Sequence, residues 1–337
     1  MNVRTILPVL LLPAALSAQS RNSIPAPAQI AEVDAAMYSI RAAAIRGDMR
    51  FLADDLLEGR GTDTRGHEIA AKFMAAQFES MGLSPAGEGA TYFQRVPLRT
   101  LRVNQADGEV TLIQRGQEVK LAPGKDFLQF GDPGRADVLV EAPAVYVGFG
   151  VTAPEEGYDD YKGIDVRGKL ATVVYGAPHF ESAVRAHYTA PEVKASIAAA
   201  HGAVGMLWLY DPMLENMIPF QAMARYLAFP AMRWLDKDKK PNSYFPQLKG
   251  TAMLSLAASR RFIDGSGRSA DEVFQAVKDG KPSGFSLQAA ARIHSTTALG
   301  DGSSPNVVAR LDGSDPLLKN EFVVYSAHLD HLGIGDA

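Results

Sequence analysis

Apolar and polar positions alternate with a helical period through the first part of the chain. Apolar residues recur from about Ile30 to Ile45, which predicts a helix stopped at Gly47, and Met49 to Leu57 predicts a short second one. Glu58-Gly59-Arg60-Gly61-Thr62 is then a loop broken by glycine. From His67 to Met81, the apolar positions Ile69, Ala70, Phe73, Met74 and Met81 fall on one helical face. Gly82, Leu83 and Pro85 supply its end as a left-handed cap, a hydrophobic contact and a breaker.

From about Leu98 the texture changes to short apolar or alternating runs punctuated by Gly and Pro. Val110–Ile113 and Val119–Leu121 flank Arg115-Gly116 and predict a hairpin. Further strands are predicted at Ala144–Phe149, Leu170–Tyr175, Met206–Tyr210 and Ala252–Leu256. A helix is predicted over Glu192–His201. Another opens with Ser269-Ala270-Asp271-Glu272, where a serine and the glutamate three residues later can cap each other's backbone, and it ends at Gly280. This middle section therefore reads as a mostly β unit with a few helices. The final section returns to apolar strands at Asn306–Leu311 and Glu321–Ala327, joined by the polar turn Asp312-Gly313-Ser314-Asp315-Pro316. Phe322-Val323-Val324-Tyr325 is apolar on both faces, which predicts a buried strand of an α/β sheet. There is no internal repeat and no low-complexity tract.

Composition narrows the class. The chain has 337 residues, 47% hydrophobic and 21% charged, enough for two packed cores, and disorder is not expected. A formal net charge of −4 without a long basic run gives no electrostatic reason to expect a nucleic-acid partner. Arg4, the apolar run Ile6–Leu16 and the small residues Ala15, Ser17 and Ala18 have the order of a secretory signal peptide, with cleavage near Ala18. The run falls short of the roughly 20 residues needed to span a bilayer, so a secreted or periplasmic protein without a membrane anchor is expected. Residues 19 to 29 read as a loose leader. Cysteine is absent, which removes thiolate nucleophiles and thiolate zinc ligands; any metal must be held by His and carboxylates.

The segment richest in chemistry is Ser326-Ala327-His328-Leu329-Asp330-His331-Leu332-Gly333, placed directly after the predicted buried strand. The carboxyl ends of such strands are where ligands bind in open α/β sheets. His328 and Asp330, two residues apart, face the same way in extended chain. A neutral imidazole is a good zinc ligand, and a carboxylate accepting its second N–H fixes the tautomer. On spacing alone a His-x-Asp pair is more often structural than metal-binding. His331 fits an exposed or supporting role, and Asp336 lacks the surroundings of a ligand. The isolated His67, His179, His187, His201 and His294 read as surface or packing residues, and Trp208 as core. Asp159, Asp160 and Asp165 lack the spacing of a calcium loop and read as a solvated turn. No Gly-x-Ser-x-Gly elbow supports a serine hydrolase.

VVYSAHLDHLGIG, preceded by SSPNVVARLDGSDP, resembles the start of the metal site in metallopeptidase family twenty-eight, the two-zinc aminopeptidase and glutamate carboxypeptidase family. FLADDLLEGRGTDTRGHEIAAKFMAAQFESMGL resembles the helical lead-in of that family. VYVGFGVTAPEEGYDDYKGIDVRGKLATVVYGAP with KASIAAAHGAVGMLWLYDP resembles the protease-associated domain that many members carry as an insertion.

The resemblance implies an α/β fold, the start of a zinc-exopeptidase sheet domain interrupted by a mostly β protease-associated domain. The implied boundaries are 1–18 for the signal peptide, 19–97 for the helical part, 98–292 for the insertion and 293–337 for the first strands of the peptidase domain. It also implies a peptide substrate, two Zn²⁺ ions per complete site, His328 as a ligand to one of them and Asp330 as the carboxylate that orients it. The family's bridging Asp, its Glu general base and its remaining ligands follow later in its members. This chain is therefore expected to hold an incomplete catalytic domain. The reading from another class is a non-catalytic binding protein that uses the inserted domain.

Overall fold

The structure, a computed structural model, describes residues 27–334, so the predicted signal peptide and Asp336 lie outside the described residues. The chain divides into two compact units, 1–53 and 54–337. The described part of the first holds α1 (Pro27–Ser39) and α2 (Ala42–Leu52). One long helix ending at Gly47 was expected. Instead the break falls at Arg41, whose backbone is extended, and α2 runs through Gly47. A lone glycine in a helix costs only about 1 kcal/mol, which neighbouring turns absorb.

The second unit opens with a short 3₁₀ turn, Asp55–Arg60, and α3 (Arg65–Ser80). Next come the strands β1 (Ser84–Pro85), β2 (Phe93–Val103), β3 (Glu109–Gln114), β4 (Gln117–Lys120), β5 (Phe127–Phe130), β6 (Asp137–Tyr146), β7 (Thr152–Ala153), β8 (Tyr158–Asp159) and β9 (Leu170–Val174). Helices α4 (Ser182–Thr189) and α5 (Pro191–Ala200) precede β10 (Gly205–Leu209). They are followed by α6 (Pro212–Met217), α7 (Phe220–Tyr226), β11 (Ala231–Trp234) and β12 (Thr251–Leu254). Finally come α8 (Leu256–Asp264), α9 (Ala270–Lys278), β13 (Phe285–Val307) and β14 (Ala309–Arg310).

Ten strands form one mixed sheet along the path β11-β2-β13-β6-β9-β10-β12-β5, with β3 and β4 added beside β13. Its centre, β6-β9-β10-β12, is parallel, and the flanking pairs are antiparallel. Parallel strands must be covered on both faces, and every residue of β9 and β10 is buried. The pleat sends successive side chains to opposite cores. Leu207 and Leu209 join Leu170 and Leu254 on the face covered by Phe262 of α8 and Phe274 of α9. Met206, Trp208 and Met253 join Val173 on the other, under Ala199 of α5 and Leu214 of α6. The middle section is thus α/β and more helical than its short apolar runs predicted. Its hairpin, Ser269-capped helix and strands β9, β10 and β12 lie where the pattern placed them, whereas the strand expected over Ala144–Phe149 is β6, which runs from Asp137 to Tyr146.

The strand β13 organises the sheet. Its second half pairs antiparallel with β2, from Thr297 opposite Val103 to Val307 opposite Phe93, and its first half pairs with β6 and β3. The chain between β2 and β13 therefore leaves and returns through neighbouring strands. Just beyond, Pro85 lies opposite Ala309.

The expected strand over Glu321–Ala327 does not form. Phe322, Val323, Val324 and Tyr325 are 74 to 92% exposed, and among the described residues no strand pairs with them. Apolar residues alone do not make a strand; its N–H and C=O groups need a neighbour to bond. The expected strand over Asn306–Leu311 is likewise divided between the end of β13 and the short β14.

One charge lies deep in the sheet core. Lys194 of α5 is fully buried and donates to the carbonyls of Val174 and Gly176. Burial pushes its ammonium down to about 7, opposed by the Asp160 carboxylate. Between that value and the ordinary lysine range, the unfolded chain binds a proton that the native state lacks. Native stability should therefore rise with pH above about 7, by at most roughly 1.4 kcal/mol per pH unit. Denaturant unfolding from pH 7 to 10 should show this slope, and Lys194→Met should lose it; parallel curves for the two proteins would refute the assignment.

Candidate functional site

Sequence places a strained loop before α3, and the fold brings the His328 segment onto it. Asp54 accepts the Leu56 N–H at 2.9 Å and starts the turn. The backbone then passes through three successive left-handed residues, Glu58, Gly59 and Arg60, with φ of 51°, 64° and 48°. Such conformations cost non-glycine residues of order 1 kcal/mol or more each and persist where surroundings enforce them. Here the reversed chain turns its carbonyls toward the far end of the sequence. The Arg60 carbonyl accepts the His331 N–H at 2.9 Å, and the Gly59 carbonyl accepts the Gly333 N–H at 3.1 Å. Gly61 and His331 form a parallel bridge. A side chain at position 59 would bring its Cβ to 2.8 Å from the Gly333 oxygen, so the approach requires glycine there.

Side chains complete the clasp. Arg60 Nε donates to the Leu329 carbonyl at 3.0 Å, and the Thr62 hydroxyl donates to Asp330 Oδ2 at 2.7 Å. Thr64 caps α3 by accepting the His67 N–H, and its own hydroxyl donates to the Gly61 carbonyl at 2.6 Å. One turn into the helix, His67 is buried, with Nδ1 2.9 Å from Ser304 Oγ of β13. Asp63 accepts the Ser303 N–H at 3.2 Å, a second tie to the same strand. Burial lowers the His67 pKa, and the Arg60 and Arg95 cations add to this against the Asp330 and Glu68 carboxylates, so the ring is neutral at pH 7.

Asp330 is half-buried. Burial pushes its carboxyl up, but the Thr62 hydroxyl, its own backbone N–H and the imidazoles of His328 and His67 outweigh this and hold it below the usual carboxylate range. It is ionised at neutral pH. The His328 ring lies beside it, with Nδ1 2.8 Å from the Asp330 main-chain oxygen and 3.5 Å from Oδ1. Nδ1 thus donates to Asp330, chiefly through the main chain rather than through the carboxylate that the sequence pattern pointed to. That tautomer leaves the Nε2 lone pair free on a ring whose side chain is 80% exposed. His328 does not end a buried strand; the loop at residues 59–62, and not the sheet, fixes its segment. His331 contributes only through its backbone.

Tested against zinc, the residues fit in part. An imidazole whose Nδ1 is bonded and whose Nε2 is open is what a single zinc ligand requires. Among the described residues there is no group of three or more His, Asp or Glu side chains able to hold a metal. They therefore supply one donor and its support, not a coordination sphere. The other histidines lie elsewhere: His201 stacks on Tyr161 with ring centroids 4.1 Å apart, and His294 lies 3.2 Å from Asp137. Sequence reasoning missed Thr62 and Ser304 and grouped His67 with the isolated histidines read as surface or packing residues. The only signal was their position, in or just after the glycine-broken loop and just before the end of the strand that pairs with β2.

No protein-family model matches this chain. No curated protein matches it either. Among solved structures it is similar to an aminopeptidase from Aneurinibacillus sp. strain AM-1, with 17% identity and a TM-score of 0.37, over 82% of this chain and 49% of that one. It is also similar to BSAP, a zinc aminopeptidase from Bacillus subtilis, with 14% identity and a TM-score of 0.28, over 78% of this chain and 45% of that one. The chain spans about half the length of these proteins. Among the described residues, no helix is long and apolar enough to cross a membrane.

Two substitutions test the clasp. At Gly66 an added Cβ would fall 1.7 Å from the Leu57 carbonyl oxygen, so Gly66→Ala should destabilise by about 2–3 kcal/mol and speed hydrogen exchange at the His331 and Gly333 amides. Thr62→Val removes the hydroxyl that favours the charged carboxylate, so the Asp330 pKa measured by carboxyl NMR should rise. An unchanged Asp330 titration would show that Thr62 does not hold it.

Proposed function

We propose that this protein is a zinc-dependent peptide hydrolase of the aminopeptidase type, exported through its N-terminal signal sequence, with residues 98–292 as an inserted protease-associated domain. The observation that carries the reading is the His328 ring, whose Nδ1 is committed to Asp330 and whose Nε2 is left free at a segment clasped by the loop of residues 59–62. The insertion is supported by the β2–β13 pairing, which lets the intervening chain depart and return side by side.

In this reading His328 holds one of two zinc ions through Nε2, and Asp330 keeps the ring in the required tautomer. Thr62 fixes the Asp330 carboxylate, and Arg60, through the Leu329 carbonyl, fixes the backbone between the two. Zinc, when bound, supplies a water acidified toward neutral pH and polarises the scissile carbonyl. In this reading the remaining ligands and the general base are not among the described residues, which hold no group of three or more His, Asp or Glu side chains able to bind a metal. What these residues do is present one donor atom in a fixed place before the ion arrives. That lowers the entropy lost on binding it.

In the protein isolated from its source, we expect bound zinc and hydrolysis of leucyl p-nitroanilide. His328→Ala should lower zinc content and reduce kcat/KM at least about 100-fold; Asp330→Asn, which keeps the main-chain oxygen that Nδ1 contacts, should weaken zinc affinity by less than about 10-fold. A protein without bound divalent metal, or undiminished activity in His328→Ala, would refute the proposal.

A further inference from the structure

The sheet face that packs under α5, α6 and α7 is not filled. A cavity of about 360 Å³ lies there, within the range of about 300–1,000 Å³ typical of small-molecule sites and far above the voids that native packing leaves. Its floor is made by Met206, Trp208 and Met253 of β10 and β12, and its roof by Leu214, Met223 and Leu227. These are the residues that the pleat of the parallel strands and the short helices direct to this side. The other face of the same strands is closed by α8 and α9. The wall is apolar and aromatic, and its three methionines are adaptable enough to close around a flat or branched side chain.

Charge enters at one place. Glu192, in the first turn of α5, and Arg233, on β11, both line the cavity and approach to only 3.8 Å, beyond hydrogen-bond distance. Arg233 spends Nη1 on the Met232 carbonyl at 3.0 Å, while its Nη2 makes only the loose ion pair with Glu192, which a ligand carboxylate can outcompete by direct hydrogen bonds. The other lining carboxylate, Asp132, is committed to the Gly134 N–H at 2.8 Å and Arg135 Nε at 3.0 Å. One acid and one base, joined only by a loose ion pair at 3.8 Å without a hydrogen bond, thus flank an apolar chamber.

We propose that this cavity binds a free amino acid with a large apolar side chain. The α-ammonium meets Glu192, the α-carboxylate meets the guanidinium of Arg233, and the side chain lies against Trp208 and the methionines. A zwitterion satisfies both charges at once, whereas an anion or a cation would face one charge of its own sign. The site is remote in sequence from His328 and Asp330 and does not depend on zinc binding there.

The chain has two tryptophans, so Trp234→Phe leaves Trp208 as the sole fluorophore inside the cavity. Titration of that protein with L-phenylalanine should give a saturable Trp208 fluorescence change and raise the thermal midpoint. Arg233→Gln should weaken L-phenylalanine at least about tenfold, as expected for loss of a charge-assisted hydrogen bond, but leave phenethylamine unweakened. Glu192→Gln should weaken L-phenylalanine similarly and leave 3-phenylpropanoate unweakened. Ala195→Phe, which fills the chamber from α5, should abolish binding in a protein whose circular dichroism is unchanged. No saturable signal, wild-type affinity in both charge variants, or equal affinity for N-acetyl-phenylalanine amide, which carries no charge, would overturn the proposal.

Discussion

Two backbone hydrogen bonds, from the His331 and Gly333 amides to the carbonyls of Arg60 and Gly59, join parts of the chain about 270 residues apart, as the Arg60 to Leu329 bond beside them does. The candidate site depends on that closure. It is possible because β2 and β13 lie antiparallel with Phe93 opposite Val307, so the chain resumes beside the point where it departed. The β1–β14 pair continues the return, and the left-handed turn at residues 58–60 points carbonyls at what comes back. Closing so long a loop is entropically costly, and the sheet between its ends bears that cost cooperatively.

The fold was legible wherever a period and its punctuation agreed. The helix over α3, the hairpin at Arg115-Gly116, the capped helix at Ser269 and the buried strands β9, β10 and β12 all carry a repeat bounded by Gly, Pro or a capping residue. Most of the longest strand, β13, over residues 285–305, went unseen because its Ala, Ser, Thr and Gly residues lack an apolar rhythm; its partners on both sides make it a strand. Phe322–Tyr325 failed in the opposite sense. The apolar run is strong, yet pairing is a property of neighbours, and the described residues offer none.

At the site, sequence identified the segment but not what holds it. His328 and Asp330 do lie together, and their two-residue spacing accounts for that. The link is the Asp330 backbone oxygen, and the Asp330 carboxylate is turned to Thr62, because a hydroxyl donor lies closer than the ring. No local pattern announces a contact between residues 62 and 330. His67 shows the same limit: a histidine that appeared isolated in sequence is fixed by Ser304 from the far end of β13 and feels the charge of Asp330.

The proposed function requires that His328 present an open Nε2 before any metal binds. Nitrogen-15 NMR of the imidazole in the metal-free protein reads this directly. The Nδ1–H tautomer is expected, with the Nε2 resonance shifting when zinc is added. A ring protonated at Nε2, or one whose Nε2 signal zinc leaves unmoved, would contradict it.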